Sequence, residues 1–371
     1  MSSINRERLI STFMELARIS SPSWEEGKVI DFIVAYAGNI GVRSKKIPCG
    51  KSYNLLLSLK GEAGIDPVLF SGHTDTVTPC MNVKPVRAGN RITSDGTTIL
   101  GSDDKSAIAM FLEALHVIHE DRIPHGPAEV LLSCAEEIGL NGIKQFDMKH
   151  ISSKLAFVFD CSGPIGKIIV KAPYHLNMTL SVRGKAAHAG IEPEKGVNAI
   201  NVLSEIITKI PSGRIDEETT LNIGMISGGR ATNIVAEESK CVLEIRSISN
   251  KKLRQYEKIV RDTAKNTART NKAKVSIVSA LDYSGFTIRE TEPITRILSS
   301  SMRKIGVKPE YCISGGGSDT NVFNKSGVRA VNLSCGMQNV HTTSEYISIQ
   351  DLVRGSELVL AIIDTVYKGL R

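Results

Sequence analysis

Aromatic residues are scarce in this 371-residue chain, at 5% with a single tryptophan. That removes the stacking platforms on which nucleic acids are held, and the net charge of +7 is scattered except at 43–46 and 251–254, so no basic stripe replaces them. Nucleic acid is not an expected partner. The seven cysteines contain no CxxC pair and are odd in number, a usage that fits a reducing cytosol in which thiols pack as small apolar side chains. Long hydrophobic runs are missing too. The best, 358–363, stops at Asp364, far short of the roughly 18 residues a membrane span needs, so no membrane partner is expected. The N-terminus has no signal-peptide core, which makes the cytoplasm the expected location. There is no HExxH, no GxSxG elbow, no P-loop, no internal repeat and no low-complexity tract. Gly315, Gly316 and Gly317 lack the third glycine of a dinucleotide fingerprint and read as a flexible turn before a helix.

What is present is the composition of a globular protein, 41% apolar and 23% charged, long enough for about two domains at roughly 100–200 residues each. An amphipathic first helix carries Leu9, Ile10, Phe13, Met14 and Leu16. Ser23 and Glu26 have the spacing of a capping box for a second helix. Short apolar runs at 54–59, 68–71, 129–133 and 155–159 predict buried strands, and 106–120 predicts a helix between them. From 175 the order becomes strand, helix, strand, strand, helix, strand, the pattern of a ferredoxin-like domain. After 285 the earlier style resumes, with helices near 293–305 and 350–368 and a strand at 330–333. The expected fold is α/β: a catalytic domain with a helix-flanked mixed sheet, from 1–174 and 285–371, interrupted by a ferredoxin-like insertion at 175–284.

The chemistry lies in what ends the strands. His73 and Asp75 follow the second run, Glu136 and Glu137 the third, and Asp160 the fourth. Successive buried strands of an open α/β sheet release their ligands at one end, so these side chains are expected to converge. Singly each has a plain alternative. His73 reads as a hydrogen-bonded structural histidine, Asp75 and Asp160 as turn residues, Asp103 and Asp104 as helix caps. Together they are acids that repel unless a cation sits among them. His116 and His119, one helical turn apart, lie away from these ends and read as ordinary helix residues.

With these segments in view, the sequence resembles the M20 family of metallopeptidases, and within it the peptidase T-like branch. The resemblance rests on Gly72-His73-Thr74-Asp75-Thr76-Val77, Gly96 to Lys105 with its Asp103-Asp104 pair, Glu136-Glu137, Asp160, Ala187-His188-Ala189-Gly190, Gly315-Gly316-Gly317-Ser318-Asp319 and His341-Thr342-Thr343, in order along nearly the whole chain. It implies a catalytic domain binding two Zn²⁺, with Co²⁺ or Mn²⁺ as alternatives, and an inserted lid that forms a homodimer. Asp103 then bridges the metals, His73 and Asp160 complete one site, and Glu137 and His341 the other. Asp75 supports His73, Glu136 is the general base, and His188 helps hold the oxyanion from the partner subunit. Asn233 and Arg246 match positions that grip the substrate's carboxylate end, and Gly316 and Ser318 line the substrate site. Three carboxylates and one hydroxide balance two divalent ions, which leaves Glu136 over as a base.

The implied activity is hydrolysis of small peptides, foremost removal of the N-terminal residue of tripeptides. Two alternatives stay open: an amidohydrolase or carboxypeptidase acting on N-acyl amino acids or dipeptides, and a non-catalytic peptide-binding protein stapled by metal.

Overall fold

The computed structural model describes residues 3–369 and separates into two compact units. The first comprises the chain up to Val170, Thr287–Ile313, and everything described from Ser318 onward; the second comprises Lys171–Phe286 and Ser314–Gly317. Among the described residues no helix is long and apolar enough to cross a membrane, and all seven cysteines are free thiols.

The larger sheet is mixed, its strands lying in the order Arg43–Cys49, Ser52–Leu59, Ala128–Ser133, Val68–His73, Leu155–Cys161, Arg329–Ser334, Lys167–Ala172 and Phe286–Thr287. Its centre is parallel: Val68–His73 runs between Ala128–Ser133 and Leu155–Cys161 in the same direction, and Arg329–Ser334 continues the set. The sequence requires this burial, because Val68–His73 and Ala128–Ser133 are buried at every residue and have no polar face to offer water. Parallel direction brings the strands' C-terminal ends to one edge.

The helix Ser102–Asp121 covers the centre of the sheet. Phe111 from that helix meets Phe70 and Phe159 with ring centroids 5.8 and 5.3 Å apart, and Phe157 packs on Phe70 at 5.9 Å. The last helix, Ile349–Lys368, lies against it at Gly355, where any Cβ would run into the Met110 side chain. Arg43–Cys49 is an exposed edge strand. Its lysines and Pro48 guard the unpaired edge, and the lack of apolar alternation kept it from being read as a strand.

The second helix, Gly27–Asn39, begins differently from the sequence expectation. Ser23 and Glu26 do not form a capping box; Glu26 is itself the N-cap residue and makes no side-chain cap bond. The Ser23 hydroxyl donates to Asp75 at 2.7 Å, and Glu26 Oε1 accepts the backbone N–H groups of Trp24 and Ala135 at 3.0 and 2.9 Å. Both side chains are turned toward the strand ends.

A small four-stranded sheet joins Met337–Gln338, Tyr346–Ser348, Arg91–Thr93 and Val86–Ala88. Its pairing of Tyr346–Ser348 with Arg91–Thr93 ties the loop holding His341 to the chain leading into Asp103.

In the second unit the sheet order is Gly213–Asp216, Thr219–Gly228, Glu238–Ser247, Tyr174–Arg183, Lys274–Tyr283, all antiparallel. Setting aside the short first strand, this is the 2-3-1-4 order of a ferredoxin-like domain. One face is closed by Ala199–Lys209 and Asn250–Thr270, whose Val202, Leu203, Ile206, Leu253 and Val260 meet Leu176, Met178, Leu180, Leu243 and Ile245. The other face carries the alternate residues of the same strands.

Candidate active site

Parallel strands deliver His73, the Glu136–Glu137 pair and Asp160 to one edge of the sheet, and the start of the Ser102–Asp121 helix adds Asp103 and Asp104. Ligand atoms of His73, Asp104 and Asp160 lie within 4.8 Å of one another, as do those of His73, Asp103 and Glu137.

The histidines define the arrangement. His73 Nδ1 lies 2.9 Å from the carbonyl oxygen of Asp75, which can only accept, so Nδ1 carries the proton and the neutral ring turns the lone pair of Nε2 inward. That Nε2 faces Asp103 Oδ1 at 3.0 Å and Asp160 Oδ1 at 3.7 Å. His341 Nε2 faces the other oxygen of Asp103, Oδ2, at 3.1 Å and Glu137 Oε1 at 3.1 Å. Each oxygen of one carboxylate therefore addresses a different imidazole, and each imidazole nitrogen is opposed by two acceptors. Lone pairs directed at one another in this way need a proton or a cation between them.

The charge balance agrees. Asp103, Asp104, Glu136 and Asp319 are almost wholly removed from solvent, with Asp160 and Glu137 alongside and only slightly exposed. Two imidazoles are too few to neutralise them. Burial disfavours a charged His73, but its hydrogen bonds to Asp103, Asp160 and Asp75 prevail and hold its pKa well above the ordinary value. Hydrogen bonds to Asp103 and Glu137 push His341 up to about 10. Burial, reinforced by neighbouring acids, raises Glu136 well above the usual carboxylate range, brings Asp160 to about 6 despite His73, and brings Asp319 to about 7 despite the Ser133 hydroxyl. These shifts mark a group of buried acids that calls for more positive charge than two imidazoles carry. Divalent ions would supply that charge, and the donor set of imidazole and carboxylate suits them.

Asp75 is placed differently from a simple support for His73. Its backbone carbonyl, at 2.9 Å, makes the short contact to Nδ1, with carboxylate Oδ1 at 3.4 Å. The carboxylate accepts the backbone N–H of Glu136 at 2.9 Å and of Glu137 at 3.2 Å, besides the Ser23 hydroxyl. Burial raises it, but His73 and these donors prevail and keep its pKa low. Asp75 thus fixes His73 and the two glutamates in one frame. Ala135, at φ +48°, makes the turn that leads into the pair, and Glu26 holds its N–H.

Glu345 was not singled out from the sequence. Its buried carboxylate accepts the backbone N–H groups of Leu100 and Gly101, both at 2.8 Å, and of Asp103 at 3.0 Å, together with the Ser102 hydroxyl at 2.6 Å. It clamps the loop presenting Asp103. Removing it orphans four buried donors, each costing about 1–3 kcal/mol, and relaxation leaves a net loss of about 3–5 kcal/mol for E345A. Urea unfolding checks this; an unchanged midpoint contradicts it.

Asp104, read from sequence as a possible cap, spends Oδ2 on the His73 N–H at 3.2 Å, with Cys335 Sγ 3.9 Å from Oδ1. Ser318 caps the short helix Asp319–Lys325 in a capping box with Asn321, and its hydroxyl also accepts from Asn332 at 3.2 Å. Gly316 lies in the turn of the second unit, its N–H bonded to Ser314 Oγ. His116 meets Tyr36 at 3.0 Å, away from the strand ends.

In the second unit, His188 and Asn233 are exposed and come together: the Ala189 N–H donates to the Asn233 carbonyl at 3.0 Å, and His188 pairs with Ile234. His188 Nδ1 accepts the Gly190 N–H at 3.2 Å, so in the neutral ring Nε2 bears the proton and is a donor. Arg246 is on the face opposite the helices, beside Glu244 and Tyr283.

Comparison with known proteins agrees with this architecture. Residues 173–272 match a family model described as a peptidase dimerisation domain. Over 370 residues the chain is 37% identical to an uncharacterized protein, YqjE, of Bacillus subtilis, covering 98% of this chain and 100% of that one. Its structure is similar to that of aminopeptidase PepT from Bacillus cereus, with 37% identity, coverage of 98% and 99%, and a TM-score of 0.92. A tripeptidase from Staphylococcus aureus gives 35% identity, coverage of 99% and 100%, and a TM-score of 0.94.

Proposed function

The chain belongs to the M20 family of metallopeptidases, on its peptidase T-like branch, and from that membership we propose that it uses two divalent metal ions to release the N-terminal residue of tripeptides. The observation that carries the reading is Asp103, whose two oxygens each face a different imidazole Nε2. We assign His73, Asp103 and Asp160 to one ion, and Asp103, Glu137 and His341 to the other. Zn²⁺ fits these donors best, with Co²⁺ or Mn²⁺ acceptable. When bound, such a pair polarises the scissile carbonyl and makes water acidic enough to attack at neutral pH.

In this division Glu136 is not needed as a ligand. Its carboxylate takes the proton of the attacking water and later delivers it to the leaving amine. Asp75 serves this step from behind, because it holds the Glu136 N–H and the His73 ring at once. His188, with a donor at Nε2, is assigned to the oxyanion, and Asn233 to the substrate beside it. Gly316 and Ser318 are assigned to the lining of the substrate site. Residues 1–174 and 285–371 form the catalytic part and 175–284 the lid, through which we expect a homodimer, with the cytoplasm as the place of action.

Arg246 is assigned to the C-terminal carboxylate, because its planar fork pairs both oxygens. Amidated tripeptides are then expected to lose about 2–4 kcal/mol of transition-state binding, read as kcat/KM. Equal rates on acid and amide remove the assignment.

The whole reading is tested with a panel of tripeptides, dipeptides and N-acyl amino acids, with products identified by mass. Tripeptides losing their N-terminal residue support it. Preference for N-acyl amino acids, or release of the C-terminal residue, overturns it in favour of an amidohydrolase or carboxypeptidase.

A further inference from the structure

Arg246 does not present its whole guanidinium to solvent. Nε and Nη2 both donate to the Glu244 carboxylate, to Oε1 and Oε2 at 3.1 Å each, which occupies the side edge of the fork. Nη1 reaches the Tyr283 hydroxyl at 3.4 Å. A guanidinium has five N–H donors, and these contacts use three. The two left are one on Nη1 and one on Nη2, the nitrogens at the outer edge of the fork, which together can take a carboxylate in a two-pronged pair. The side chain is 30% exposed, so Arg246 is within reach of solvent.

Glu244 is itself held. Its Oε2 lies 2.9 Å from His175 Nε2, and His175 Nδ1 lies 3.1 Å from Asp282 Oδ2, with His175 almost wholly buried. His175 stacks at 5.1 Å on Tyr283, whose ring fills the space where Gly317 has no Cβ. The chain of contacts runs from Asp282 through His175 and Glu244 to Arg246, all on the sheet face opposite the helices.

We propose that Glu244 is a positioning residue that fixes Arg246 by its inner edge and turns the outer edge toward the C-terminal carboxylate of the peptide. This rests on the assignment of Arg246 to that carboxylate. An arginine free to sample its rotamers surrenders side-chain entropy on pairing, whereas one already held surrenders little. Glu244 also offsets part of the positive charge of Arg246.

The experiment compares a tripeptide with its C-terminal amide on the metal-loaded enzyme, for wild type, R246A and E244Q. Wild type is expected to prefer the acid by about 30-fold or more in kcat/KM, and R246A to lose that preference. E244Q is expected to lose about tenfold of it, through KM for the acid, with kcat/KM for the amide unchanged. A merely structural role would lower both substrates together and leave the ratio intact; that result, or a full preference in E244Q, overturns the proposal while leaving Arg246 in place. A wild type with no preference, or R246A retaining it, overturns the Arg246 assignment and Glu244's role with it. Should E244Q fail to fold, E244D keeps the charge on a shorter arm and is expected to lower the acid-to-amide ratio several-fold; an unchanged ratio overturns the proposal.

Discussion

Replacing Glu136 with alanine is expected to lower kcat by about 10² to 10⁴ while leaving the metal content of the protein unchanged. The two halves of this result separate a base from a ligand. Glu136 is buried at the strand end beside Asp160 and Glu137, yet the pairing of imidazole and carboxylate oxygens is completed by His73, His341, Asp103, Asp160 and Glu137 without it. Removing it deletes a proton carrier and no donor to a cation. Its backbone N–H remains to be bonded by Asp75, so the frame around His73 and Glu137 survives the substitution. Metal content by elemental analysis and kcat on one tripeptide check both halves. An unchanged rate removes Glu136 from the mechanism, and a loss of metal makes it a ligand. A staple without catalysis has no use for such a carboxylate.

Asp103→Asn is expected to be the most damaging change of a single assigned ligand, taking activity down by at least about 10⁴ and reducing the binding of both ions, because one carboxylate serves two sites. His73 and His341 each approach a separate oxygen of Asp103, and an asparagine offers an acceptor to one and an amide N–H to the other. Asp160→Asn or Glu137→Gln, by contrast, each alters one site. Glu345 still holds the Asp103 backbone in the variant, so the loop keeps its place and the effect is chemical. Metal titration of the metal-free protein is the check. Two ions bound with wild-type affinity by the Asn variant contradict a bridging Asp103.

The parallel core was legible because its strands are short apolar runs, each closed by a polar residue, and that punctuation marked the site. His73, Glu136, Glu137 and Asp160 stand where Val68–His73, Ala128–Ser133 and Leu155–Cys161 end, so reading one reads the other. The ferredoxin-like unit was legible from the order of its elements, since Tyr174–Arg183 and Glu238–Ser247 each keep a buried alternate face and Lys274–Tyr283 a partly buried one.

Several supports were not legible, for a physical reason. Glu345, Glu26 and Ser23 act on backbone or side-chain groups more than 50 residues away, and no local pattern marks a carboxylate that caps a distant loop. Ser23 and Glu26 even imitated a helix cap, because a cap is recognised by spacing alone while their partners became available only in the folded chain. The four-stranded sheet that carries Tyr346–Ser348 was missed because strands of two or three residues leave no periodicity. The Glu244–Arg246 pair was half visible: i and i+2 on a strand share a face, but only the fold shows that the acid occupies the inner edge of the arginine.

The most direct test of a dinuclear tripeptidase is a titration of the metal-free protein with Zn²⁺, with release of the N-terminal residue of a tripeptide as the readout. The metal-free protein is expected to be inactive, with hydrolysis appearing on addition of metal and reaching its plateau at two ions per chain. Full activity before any metal is added, or a plateau indifferent to the second ion, would contradict the account.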